Sequence, residues 1–153
     1  MMTVRELMDK AALRDRLSDN LQSGYEDKEL IAYINDAINF IWHVLIDHGY
    51  YEVIGDVTFT QANDTAPADW YRATNQAPLI VRDSAVEVYG KVPLKVRYYK
   101  KPKFVNADTD QIPFSNEAFG DIIAQLVIIL AMSNHGFNMD VEQDMVEAIV
   151  GLL

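Results

Sequence analysis

Histidine is the side chain best suited to moving protons near neutral pH, and His43 stands four residues before Asp47, with His48 next to it. On a helix, residues four apart share a face, so the carboxylate could orient the imidazole. A metal site needs three or four convergent ligands, and a nucleophilic triad needs an activated serine or threonine; neither spacing accompanies the pair. The plainer account is a histidine beside the negative end of a helix dipole, and His135 before Gly136 reads the same way. Asp108 and Asp110 raise the question of calcium, but an EF-hand loop counted from Asp108 would require glycine and glutamate where Pro113 and Phe119 stand. These carboxylates are expected in a solvated turn. The seven glycines are scattered singly, so no glycine-rich loop cradles a phosphate. The expectation is a protein that is not an enzyme, with no catalytic, cofactor-binding or metal-ligating residue and no cofactor.

A basic run, Lys91, Lys95, Arg97, Lys100, Lys101 and Lys103, is interleaved with Tyr98 and Tyr99 and is the one stretch resembling a nucleic-acid surface. Lysines also guard exposed strand edges against aggregation, and Tyr98 has the parity of a core residue, so a solvated edge or protein interface is the simpler assignment. Trp70, Tyr71 and Tyr89 fall in the same middle region. They suggest a competing function, a small module that binds a ligand through an aromatic pocket. An enzyme built on His43 and Asp47 is the third reading.

These groups must be held by elements that the hydrophobic pattern locates. The chain has 153 residues, half of them apolar, and no cysteine, so one core of ordinary size is affordable and disulfide or thiolate chemistry is excluded. A single domain, 1–153, is expected, with a helical part over 1–49, a β insert over 50–105 and C-terminal helices over 114–153. The formal charge is −10, unfavourable for gripping nucleic acid through phosphates. It is unevenly spread: residues 1–60 net −6, residues 61–113 net +2, and residues 114–153 net −6 with no lysine or arginine. No secretory signal is recognisable at the start. The longest apolar stretch, Ile122 to Met132, is broken by Gln125 and is well short of the ~20 residues that span a bilayer, so no membrane partner is expected.

Val4, Leu7, Met8, Ala11 and Ala12 predict a short first helix fading over 15–20, closed by Gln22-Ser23-Gly24. Leu30, Ile31, Ile34, Ala37, Ile38, Ile41, Trp42 and Leu45 predict a long second helix from Glu26, stopped at His48-Gly49. The period then falls to two. Strands are expected over Tyr51–Phe59, with a bulge or turn at Gly55, and over Trp70–Ala73, Leu79–Arg82, Val86–Tyr89 and Leu94–Tyr99. Turns at Asp83-Ser84 and Gly90-Lys91 would join them in an antiparallel meander. Leu94, Val96 and Tyr98 should face a core while Lys95, Arg97 and Tyr99 face out. Lys100 to Pro113 reads as a linker. A helix capped by Ser115 or Asn116 should run to about Asn134 and end at Gly136. Asp140 and Gln143 resemble a capping box for a last helix bearing Val141, Met145, Ala148, Ile149 and Leu152. Val127, Ile128, Ile129 and Leu130 cover every face of a turn, so that helix is either enclosed by its own domain or shared with a neighbour.

The order of parts resembles a known family. Asp27-Lys28-Glu29-Leu30-Ile31-Ala32-Tyr33-Ile34-Asn35-Asp36-Ala37, then Val96-Arg97-Tyr98-Tyr99-Lys100-Lys101-Pro102, then Ile112-Pro113-Phe114-Ser115-Asn116-Glu117-Ala118-Phe119-Gly120-Asp121-Ile122-Ile123 and an apolar helix look like the head-to-tail adaptors of tailed bacteriophages, also called connector, neck or tail-tubular proteins. The resemblance covers about Leu30 to Ile149. It implies an α+β fold in which N- and C-terminal helices form a bundle around an inserted small antiparallel sheet. It also implies a structural virion component, assembled in the bacterial host cytoplasm. Its copies would form a ring, commonly twelve-fold, between portal and tail, through which packaged DNA passes without sequence-specific binding. In that family the C-terminal end commonly reaches the portal, whereas here Leu152-Leu153 follow the last amphipathic turn with no long extension. An acidic lumen would let DNA slide, and a head-to-tail ring contact would occupy surplus apolar surface.

Overall fold

Thr3 starts the first helix by supplying an acceptor the backbone lacks: its Oγ1 accepts the Glu6 N–H (3.1 Å), and the Thr3 N–H donates back to Glu6 Oε2 (3.4 Å). In the computed structural model, which describes residues 2–9, 27–133 and 139–153, this helix is α1, Val4–Met8, and it buries Val4, Leu7 and Met8. The expected continuation through Ala11 and Ala12, the linker Gln22-Ser23-Gly24, His135 and the stop at Gly136 lie outside the described residues, as does the Asp140 side chain.

Helix α2, Asp27–Asp47, has the predicted extent, and its buried stripe of Ile34, Ile38, Ile41 and Leu45 follows helical spacing. Gly49 ends it at φ 61, a left-handed conformation that costs glycine nothing; its N–H donates to Ile46 O (3.1 Å) and that of Tyr50 to Leu45 O (3.0 Å). Helix α3, Ala118–Ser133, begins where Asn116 Oδ1 accepts the Ala118 N–H (3.0 Å), so Asn116, one of the two capping candidates, serves its first turn. Helix α4 is Met139–Val150; Ile149 is buried, while Ala148, expected on the apolar stripe, is exposed. None of the helices among the described residues is long and apolar enough to cross a membrane.

Six strands lie between α2 and α3: β1 Ile54–Phe59, β2 Asn63–Thr65, β3 Trp70–Ala73, β4 Leu79–Arg82, β5 Ala85–Val88 and β6 Leu94–Lys100. The protein is therefore mixed α+β with small antiparallel sheets. The expected meander is not what forms. There are two three-stranded sheets, ordered β1-β6-β3 and β2-β5-β4, and only β4 and β5 are sequence neighbours joined as a tight hairpin, through Asp83 at φ 54. The last strand, β6, sits in the middle of its sheet because its inward Val96 and Tyr98 are needed at the centre of the core. Residues Tyr51–Val53, expected as strand, form a 3-10 turn that still buries Val53. Gly55 makes no bulge: β1 pairs with β6 in unbroken register from Ile54↔Tyr99 to Phe59↔Leu94.

The chain divides into two compact units. One comprises Met1–Val44 and Lys103–Leu153, the other Leu45–Pro102. In the β unit, Phe59, Ala66, Trp70, Val86, Val88, Val96 and Tyr98 make one core drawn from both sheets. In the helical unit α3 packs on α1 and α4, and Ile122, Ile123, Leu126, Val127, Ile128 and Leu130 are all buried. Ile129, the other member of that run, is half-buried, so the chain itself covers most of this apolar helix.

The segment that read as a linker is docked. Asn35 on α2 treats Val105 as a strand would, donating from Nδ2 to Val105 O and accepting the Val105 N–H at Oδ1, both at 2.8 Å. Val105 is buried at 2% exposure, so its peptide groups have no water to turn to. Replacing Asn35 with alanine should cost about 2–4 kcal/mol by leaving both groups unsatisfied, and Asn35→Asp, which keeps only the acceptor, should cost less. Urea unfolding with amide exchange at Val105 measures both. Unchanged stability in Asn35→Ala would refute the clamp.

Candidate functional site

Strand β6 carries the chemistry-bearing residues outward because its alternate residues are held inward. Val96 and Tyr98 are buried, Leu94 is half-buried, and Lys95 and Arg97 are exposed. Tyr98 is gripped from three sides. Its ring stacks on Trp70 at 5.1 Å, and its hydroxyl donates to Asp69 Oδ1 at 2.7 Å. Across the ladder it faces Gly55, where a Cβ would lie 2.9 Å from Tyr98 Cζ, so the glycine expected to break the strand instead makes room for a ring. Burial, then the hydrogen bond to Asp69 and the nearby Asp69 and Asp56 charges, push the Tyr98 phenol up to about 12.

Beside this strand lies a groove of about 340 Å³, lined by Thr74, Asn75, Gln76, Ala77, Lys95, Val96 and Arg97. Thr74 fixes its wall to the sheet, its N–H (2.9 Å) and Oγ1 (3.1 Å) both donating to Arg97 O. Arg97 Nε also reaches Asp56 Oδ1 at 3.3 Å, a cross-strand pair exposed enough to add little stability. The outward basic surface includes a residue that sequence reasoning missed. Arg72 stands over the Tyr99 ring at 5.2 Å and the Tyr71 ring at 5.9 Å. A register shift between Trp70 and Arg72 breaks the alternation of β3, so Tyr71 and Arg72 are both exposed. No signal in the sequence marks that irregularity.

The other sequence-derived candidates are separated. Lys91 and Lys101 are exposed on the β unit, Lys100 is half-buried, and Lys103 belongs to the helical unit. Trp70 is a core residue, edge-on to Phe59 at 6.1 Å, whereas Tyr71 and Tyr89 are 45% and 65% exposed. The three do not line the groove. His43, Asp47 and His48 are exposed at the end of α2. Among the described residues no three histidine, aspartate or glutamate side chains gather as a metal-binding group.

Asp108 and Asp110 have structural work. Asp108 Oδ2 accepts from Arg5 Nη2 (2.6 Å) and Nε (3.0 Å). Asp110 Oδ2 accepts the Asn106 (2.7 Å) and Ala107 (3.0 Å) N–H groups, which hold its carboxyl below the usual range. The turn also accepts the Val4 N–H at Asp110 O (2.9 Å) and the Arg5 N–H at Asp108 O (2.8 Å), tying it to α1.

No protein-family model matches the chain, and no curated protein sequence matches it.

The raised Tyr98 value has a pH consequence. A phenol near 10 when unfolded and about 12 when folded leaves the fold's stability unaffected below pH 10 and lowers it as pH rises from 10 toward 12, because burial disfavours the phenolate. Tyr98→Phe should lower stability by about 1 kcal/mol at neutral pH and unfold less steeply with alkali. Denaturation read by Trp70 fluorescence, with Trp42→Phe in both chains, compares the slopes. Parallel slopes between pH 10 and 12 would refute the assignment.

Proposed function

We propose that the chain is a head-to-tail adaptor of a tailed bacteriophage, a noncatalytic virion component. In this reading the helices of both chain ends pack as a bundle, and copies form a ring, commonly twelve-fold, between portal and tail. DNA passes its lumen without sequence-specific binding. The observation that carries the reading is the layout: one helical unit assembled from both ends of the chain, with a β unit inserted between α2 and the Lys103 segment, in the order of parts of that family. The charge distribution supports it as well. The terminal blocks are acidic and α4 exposes Glu142, Asp144 and Glu147 with no lysine or arginine after Lys103, a surface that repels phosphates and lets a duplex slide.

Because α3 is mostly covered by its own chain, with Ile129 half-buried, little of its described apolar surface is left for a neighbouring copy. Contact then falls to other surfaces, and most of the large apolar side chains left exposed among the described residues are on the β unit: Tyr51, Tyr71, Ile80, Tyr89 and Val92. Light scattering of the concentrated chain, then electron microscopy after mixing with portal rings, should give a ring stacked on the portal. Ile80→Ser with Tyr89→Ser should leave the fold within about 0.5 kcal/mol of the parent, since both are surface residues, while reducing ring formation. A chain that stays monomeric alone and with portal would sink the reading.

A further inference from the structure

Strand β6 is paired with β1 from Leu94 to Tyr99 but with β3 only from Tyr98 to Lys100, after which Thr74 donates its N–H to Arg97 O (2.9 Å) and the chain leaves the sheet. In an antiparallel ladder both backbone groups of one residue point to the same side, and the side alternates along the strand. Since Arg97 O faces the β3 side, the N–H and C=O of Lys95 face it too, at a level where β3 has already ended. Among the described residues no turn or loop hydrogen bond reaches the Lys95 backbone. The groove walled by Thr74–Ala77 opens beside it. Two cationic residues line that groove and no carboxylate does.

We propose that this groove takes an acidic extended segment of a partner protein, which adds as a short strand beside Lys95. Strand addition uses main-chain hydrogen bonds for affinity and side-chain positions for choice. An edge lysine discourages neutral or basic strands from pairing there, and the same charge attracts a carboxylate set directly opposite it. Arg97 lies two residues along on the same face, 64% exposed despite its contact with Asp56, so an acid at the next alternate position meets a second cation. At about 340 Å³ the groove is at the low end of the range for small-ligand sites, which suits a few residues. The site stands on this geometry alone and does not depend on the adaptor reading.

The test uses the full chain, isotope-labelled, and a capped pentapeptide alternating aspartate with valine. Titration should shift the amide signals of Lys95 and of Thr74 to Ala77, and should slow exchange at Lys95. A peptide N-methylated at the amides that face the strand, with the same charge, should bind at least fivefold more weakly. Lys95→Glu should weaken the aspartate peptide about fivefold or more and favour a version carrying lysine instead. Equal binding of the methylated peptide would overturn the proposal by showing that charge alone is read. Shifts located elsewhere, or no binding at millimolar peptide, would overturn it too. The methylation comparison needs no variant, so poor folding of Lys95→Glu would not leave the question open.

Discussion

The β unit depends on the burial of one phenol. Tyr98 must present a ring to Trp70 and a hydroxyl to Asp69 while lying over a residue with no side chain, and these demands together admit one register of β6 against β1. A slip of one residue would turn Tyr98 and Val96 to solvent and send Lys95 and Arg97 into the core, at a desolvation cost no surface contact could offset. The same register places the Lys95 backbone beside the groove. The outer surface is thus a consequence of the inner one.

The helical unit faces a different problem, since its two stretches are separated in sequence by the whole β unit. The entropic cost of closing so long a loop grows only slowly with its length, so a modest set of contacts between the stretches suffices. Those contacts are specific. Asn35 binds the Val105 peptide from α2, Arg5 binds Asp108, the Ile112 N–H donates to Met2 O, and Trp42 meets Phe114 with centroids 6.0 Å apart. Lys101 to Pro113 contains no helix or named strand, and these partners take up the Val105 peptide, the Asp108 carboxylate and the Ile112 N–H instead.

Much of this was legible from the chain itself. The extent of α2 followed from its apolar stripe and Gly49, β3 and β4 from short apolar runs between turn residues, and the in-out parity of β6 from strict alternation. What escaped is what nonlocal partners decide. Asn63-Asp64-Thr65 has poor strand propensity and becomes β2 only because β5 pairs with it. Gly55 looked like a break because the tyrosine that needs its space lies 43 residues away, at its ladder partner. The strand order departs from a meander because long-range packing ranks β6 first for the centre. At the candidate site, Lys95 and Arg97 could be named from alternation, but neither the bulge that exposes Arg72 nor the early end of β3 has a local signature.

Helix α3 is largely covered by its own chain. An apolar helix shared between copies would make folding and assembly a single event, since the monomer would expose a surface too large to remain soluble alone. With that helix satisfied internally, the chain can complete its helical core first. What stays exposed is scattered aromatic and aliphatic side chains and a basic strand, surfaces whose exposure costs a folded chain little.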